Sequence, residues 1–313
     1  MKLSVLSRFR GSLLGALIAE AKVFETLCVS KIPPMQSNQA LIEWGKIAVM
    51  GVQSIISQGT LDTDDWLNRQ KQLYPLPHAI EESSPSAIIS VLPVALFFHD
   101  NPVKLRENLL KSINLWQNEP IIRDGALAIG YAIAQALGET LNLITLIEQT
   151  ICFLGNTKTP VPQYLLKVNN LVEQGAGLEE ANNELNREQK PPAAIALAFY
   201  CFLSTPHDFR LAVERGTQIV GTHGLTSVLT AAISGAYNSN ISIPLTWRST
   251  TTNKARDRIH RVSTKWGMNN QAEMLELAEC LFAVWAGMYQ ITLNNQEFSQ
   301  KAAISTPDVI RLT

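Results

Sequence analysis

His223 lies in the run Gly221-Thr222-His223-Gly224, and an imidazole held among small residues can serve as a general base or a metal ligand near neutral pH. No partner accompanies it. His78, His99, His207 and His260 show no spacing such as HxxxH, which would set two imidazoles on one helix face. The plainer reading of His223 is a capping or hydrogen-bonding residue in the turn before a helix. The cysteines, Cys28, Cys152, Cys201 and Cys280, are far apart, lie in apolar surroundings and form no CxxC pair. That pattern predicts reduced, buried thiols in a cytoplasm, not a zinc site or a disulfide framework. Cations gather in one segment, where Arg248, Lys254, Arg256, Arg258, Arg261 and Lys265 are opposed only by Asp257. Lys254, Arg256, Arg258 and Arg261 make a candidate anion site, for phosphate or an acidic protein face. The competing reading is a solvated loop and helix start. Only Trp247 and Trp266 interleave with these cations, so a nucleic-acid partner is not expected.

The elements that must position these groups read as helices from end to end. Apolar residues recur at helical spacing, and strand-like alternation is hard to find. In Met35–Gln58 a broad stripe is formed by Leu41, Ile42, Ile47, Ala48, Val52, Ile55 and Ile56, with Gly59 just past the end and Asp62 capping the next helix. Further helices are predicted at Ser86–Phe98, Pro102–Trp116, Arg123–Leu137, Leu141–Leu154, Pro162–Gln174, Leu178–Leu185, Pro192–Leu203, Pro206–Ile219, Thr226–Asn238 and Ala272–Tyr289. Small residues crowd two of them: Gly125, Ala126, Ala128, Gly130, Ala132 and Ala134 in one, Ala231, Ala232, Gly235 and Ala236 in the other. They predict close helix packing in an inner layer. Short turns predict one compact all-α domain over residues 1–313, with a further helical part from residue 248 onward.

Composition agrees with a large core: 46% of residues are hydrophobic and 17% charged, and the formal net charge of −1 supplies no field for nucleic acid or an anionic membrane. The longest apolar runs, Ala87–Phe98 and Ala193–Leu203, fall short of the roughly 20 residues a spanning helix needs. A cytoplasmic protein is expected. The stretch SLLGALIA after Arg8 and Arg10, ahead of Ala19-Glu20-Ala21, has some features of a leader peptide but reads better as the first helix of the fold.

Three segments in order resemble the ADP-ribosylglycohydrolase family. Arg8-Phe9-Arg10-Gly11-Ser12-Leu13-Leu14-Gly15-Ala16-Leu17-Ile18 resembles the family's opening helix, but continues as Ala19-Glu20-Ala21-Lys22-Val23 where the family has Gly-Asp-Ala-Leu-Gly. The stretch AIALAFYCFLSTPHDFRLAVERG, and ISGAYNSNISIPLTWR after it, flank the position of the family's Gly-Gly-Asp-Thr-Asp-Thr metal motif without a gap. Here that position reads Val220-Gly221-Thr222-His223-Gly224-Leu225. The second metal motif, Thr-Asp-Asp-Thr, falls on Ile42-Glu43-Trp44-Gly45. In the middle, the family's Asn-Gly-Ala-Ala-Met-Arg becomes Pro85-Ser86-Ala87-Ile88-Ile89-Ser90, and its Thr-His pair becomes Trp116-Gln117.

The resemblance implies an all-α fold and, in the family, removal of ADP-ribose from side chains with a pair of Mg²⁺ or Mn²⁺ ions. Such hard cations need several oxygen ligands, chiefly carboxylates. The aligned positions offer the Thr222 hydroxyl, the His223 imidazole, backbone at Gly224 and Leu225, and the carboxyls of Glu43 and Glu20, so no metal cofactor is expected. Trp44 and Leu225 are expected to fill at least part of the space. The resulting expectation is a pseudoenzyme that acts as a binding or regulatory protein. Glu20, Glu43, Thr222 and His223 line its degenerate cleft, and a protein partner or nucleotide-like ligand takes the substrate's place. Two alternatives stand beside it. One is an active hydrolase of ADP-ribosyl or related glycosidic bonds with Glu20, Glu43 and His223 in new roles, through altered metal use or through metal-free chemistry on two carboxyls among Glu20, Glu25 and Glu43, and the other is a structural subunit of a larger assembly.

Overall fold

The computed structural model describes residues 3–29, 43–73, 84–138, 141–187, 191–219, 222, 224–248 and 260–288. Among these residues there is no strand. The helices are α1 (Val5–Val29), α2 (Trp44–Gln58), α3 (Thr63–Leu73), a 3₁₀ segment (Pro85–Val91) leading into α4 (Leu92–Phe97), α5 (Pro102–Asn114), α6 (Pro120–Leu137) and α7 (Leu146–Leu154). They continue with α8 (Val161–Glu173), α9 (Leu178–Leu185), α10 (Pro191–Leu203), α11 (Phe209–Gln218), α12 (Leu225–Asn238), the short α13 (Leu245–Arg248) and α14 (Gln271–Trp285). A further two helical turns cover 260–265.

α1, α10 and α12 form the centre. In α10 every residue from Pro192 to Leu203 is buried, because its sequence is apolar on all faces. α1 and α12 pack more extensively on each other than any other pair. Their backbones meet at Gly11 and Gly235, where a Cβ on either residue would collide with the other helix's main chain. One turn on, Gly15 lies against the Ala231 carbonyl. The small residues of α6 act in the same way, Gly125 against Ile88 and Ile195, and Gly130 against Leu109.

Local signals set the ends. Gly59 takes φ +70° and its N–H closes onto the Ile55 carbonyl, and Asp62 Oδ1 accepts from the N–H groups of Asp64 and Asp65. Asn101, Asp208 and Asn270 cap α5, α11 and α14 with their side-chain oxygens.

Several expectations need correction. The single helix expected over Ser86–Phe98 is a 3₁₀ segment followed by a short α-helix. Pro93 has no N–H to give and its ring crowds the carbonyl four residues back, so an unbroken α-ladder cannot run through it. The helix expected from Leu141 starts at Leu146, that expected from Arg123 starts at Pro120, and that expected from Pro206 starts after the Asp208 cap. Cys152 is exposed, against the expectation of buried thiols, whereas Cys201 is buried and burial pushes its thiol up to about 12. Residues 35–42 of the long predicted helix lie outside the described residues. Among the described residues no helix is long and apolar enough to cross a membrane.

Candidate functional site

Four pieces of chain meet where the family's motifs align: the second half of α1, the start of α2, the start of α12, and the segment 260–268. α2 begins at Glu43, which is its N-cap and ion-pairs with Lys46 at 3.8 Å. α12 begins at Gly224, whose φ of +81° is strained for any residue with a Cβ. A Cβ there would also strike Val23, one turn past Glu20 on α1. Thr222, two residues earlier, is 8% exposed, and its hydroxyl has no hydrogen-bond partner among the described residues.

The segment 260–268 closes the cleft. Trp266 is fully buried, and its ring lies directly on the α2 backbone at Gly45, where a Cβ would come 2.5 Å from the indole Cδ2 and Nε1. The indole N–H donates to Glu20 Oε2 at 2.6 Å. Trp44 and Leu225 are also buried, at 6% and 4% exposure. Of these three, the Trp266 ring is the one in direct contact with Glu20 and Gly45. Trp266 was not anticipated as the main occupant. Its signal was the spacing Val262–Trp266 ahead of Gly267, which puts both residues on one face of the two helical turns and ends them at a glycine with φ +72°.

The electrostatics follow from this closure. Burial raises the Glu20 carboxyl above its ordinary value of 4.5, opposed by the Trp266 hydrogen bond and by Lys265, and reinforced by the nearby Glu43. Glu20 as a residue keeps some exposure, so its stem reaches solvent while its carboxyl is enclosed. A carboxyl whose pKa is raised by burial against an apolar wall is the type that donates a proton in glycoside cleavage. Here its Oε2 already accepts from the indole N–H.

The donor set does not suit a dication pair. Among the described residues no three His, Cys, Asp or Glu side chains come together in a way that would hold a metal ion. Among the described residues at the aligned positions, Glu20 and Glu43 are neighbours and the remaining side-chain contribution is the Thr222 hydroxyl. Glu25 is taken by Lys22, at 2.6 Å. The buried Asp124, which resembles a catalytic acid in isolation, accepts from the hydroxyls of Thr157 and Thr159 and fastens α6 to the loop ahead of α8. Of the other candidates, His223, Lys254, Arg256 and Arg258 lie outside the described residues, and Arg261 is exposed on 260–265. An open polar groove of about 1210 Å³ lies elsewhere, between α8 and α9, lined by Lys167, Asn170, Gln174, Glu184 and Arg187 among others.

Comparison with curated proteins returns no match. A solved structure described as an ADP-ribosylglycohydrolase-related protein complex superposes with a TM-score of 0.61 at 16% identity, covering 90% of this chain and 99% of that one, which speaks to fold alone. A sequence profile described as ADP-ribosylglycohydrolase matches residues 40–285, from before α2 to the last residue of α14. The chain belongs to the ADP-ribosylglycohydrolase family.

Proposed function

We propose that this family member binds a ligand or a protein partner and does not hydrolyse ADP-ribosyl bonds. One observation carries the reading: the Trp266 indole lies on Gly45 and is hydrogen-bonded to Glu20, beside the positions on which the family's metal motifs align. Metal-assisted hydrolysis requires ions that polarise the sugar and activate water, and the aligned side chains are too few in anionic oxygens to hold such ions. Metal-free hydrolysis requires two carboxyls across the scissile bond, and the ring stands against Glu20. Description of the similar solved structure as a protein complex supports a protein as the partner.

The test is hydrolysis. Purified full-length protein is incubated with ADP-ribosylated arginine and serine peptides in Mg²⁺ and Mn²⁺, and free ADP-ribose is quantified. No release above the uncatalysed rate is expected. Metal-dependent turnover on either substrate would overturn the reading, and turnover that persists in EDTA and is lost in Glu20→Gln would establish the carboxylate alternative.

A further inference from the structure

We infer that the polar groove between α8 and α9 is a docking site for an extended segment of a partner protein, held by its main chain through side-chain amides. The inference rests on the binding reading given above and names the surface and the kind of partner. α8 and α9 each pack on α10 and touch each other less, so a furrow opens between them, with the buried Leu171 and Asn186 in its lining. Its volume of about 1210 Å³ exceeds the roughly 300–1,000 Å³ of pockets that enclose a small molecule. The eight residues of α9 span about 12 Å, which about four residues of extended chain would cover. Among the described residues no aromatic side chain lines the groove, so a sugar or nucleobase would find nothing to stack on.

The amides carry the argument. Asn170 and Gln174 are four residues apart on α8 and its C-cap, and Asn182 and Asn186 are four apart on α9 and its C-cap. Each pair therefore shares a helix face, and all four residues, with Asn183, line the groove. A side-chain amide sets a donor beside an acceptor, the same pair that each peptide unit of an extended chain must satisfy. Asn186 already donates to the Asn182 side-chain oxygen at 3.1 Å, which leaves the Asn182 NH₂ as a donor. Asparagine is a poor residue for a helix interior, yet Asn170 sits inside α8, and Asn182 and Asn183 lie side by side in the middle of α9. The Asn170 and Asn183 side chains are exposed and hydrogen-bond to nothing among the described residues. A residue type that weakens its helix and bonds to nothing in the fold points to a ligand. Charge then sets the direction. Glu179 and Glu180 lie at the end near the turn, and Arg187 lies at the other, past the Lys167–Glu184 ion pair at 2.9 Å. First-turn acids favour α9 in any case, so they choose among peptides and do not by themselves make the site. The segment that fits carries a basic residue at the Glu179–Glu180 end and an acidic one near Arg187.

Peptide selection tests this. Full-length protein is panned against random heptapeptides displayed on phage, and the enriched sequences are synthesised with a fluorophore and titrated by anisotropy. They are expected to share a Lys or Arg about three or four positions from an Asp or Glu. N-methylation of the residues between these two removes main-chain donors and is expected to weaken binding at least about tenfold. The double variant Asn170→Ala, Asn183→Ala is expected to weaken it by a similar factor while keeping or raising the thermal midpoint, since alanine is the better helix former. In Glu179→Lys, Glu180→Lys the selection is expected to move from basic to acidic residues at that end. No enrichment, or enriched peptides whose binding tolerates N-methylation or the asparagine substitutions, would overturn the inference. Hydrolytic turnover would remove the proposed function while leaving these results standing, and a failed selection leaves the absence of hydrolysis untouched, so the two failures are distinguishable.

Discussion

Glu20 is the residue on which the chemistry of the cleft turns. Its carboxyl is raised by burial above an ordinary value of 4.5, so folding favours the protonated form. The stabilising contribution of that proton is complete below the unfolded value and is lost as pH rises through the folded one. Glu20→Gln keeps an acceptor for the Trp266 N–H and removes the ionisation. Denaturant melts of the two proteins are therefore expected to converge at low pH, with the variant the more stable above the raised value. A wild type that grows more stable relative to the variant with rising pH would contradict this. Glu20→Ala also loses the acceptor and is expected to cost about 1–3 kcal/mol for the orphaned indole N–H, read from the same melts. At Gly45, an alanine would force the indole off the backbone, with an expected loss of about 1–3 kcal/mol for the overpacking. Loss of near-ultraviolet dichroism from the tryptophan would accompany it.

At the scale of elements, the α1–α12 crossing is the feature least tolerant of change. Gly11 and Gly235 place main chain against main chain, so neither flexible side chains nor solvent can absorb an added methyl. Gly235→Ala is expected to lower the thermal midpoint by several degrees, a shift equivalent to about 1–3 kcal/mol or more. Gly59→Ala, in open space but at φ +70°, is expected to cost only the price of a left-handed residue, about 1 kcal/mol. Differential scanning calorimetry of the pair checks the ordering. Much of this layer was legible in the sequence: the small-residue helices, the Asp62 cap and the Gly59 terminator each carry a local physical signal. Where the reading failed, the cause was also local, as at Pro93, which splits an apolar run that periodicity alone treats as one helix. The packing of 260–268 was not legible. Two turns of helix with a tryptophan, a glycine and several cations read equally well as a solvated loop, and no local rule states that an indole will cross to a helix 246 residues distant in sequence.

For the whole molecule, the all-α fold of the ADP-ribosylglycohydrolase family is kept, and the proposed function has an aromatic side chain and a few polar atoms standing in for the groups that family's chemistry needs. The resemblance around α10 to α12, inside the matched range 40–285, carried the family correctly, because those segments are buried and their small and apolar residues are fixed by packing. At the aligned motif positions the sequence was readable only as a shortage of carboxylates, since spacing does not tell which side chain from elsewhere in the chain packs against them. The measurement that reaches this claim most directly is a titration of the full-length protein with Mn²⁺, following free and bound ion by electron paramagnetic resonance. With Trp266 in the cleft and Glu20 bonded to it, only millimolar surface association is expected, about what isolated carboxylates give. Two Mn²⁺ ions per chain bound with micromolar affinity and a spin-coupled signal would contradict it.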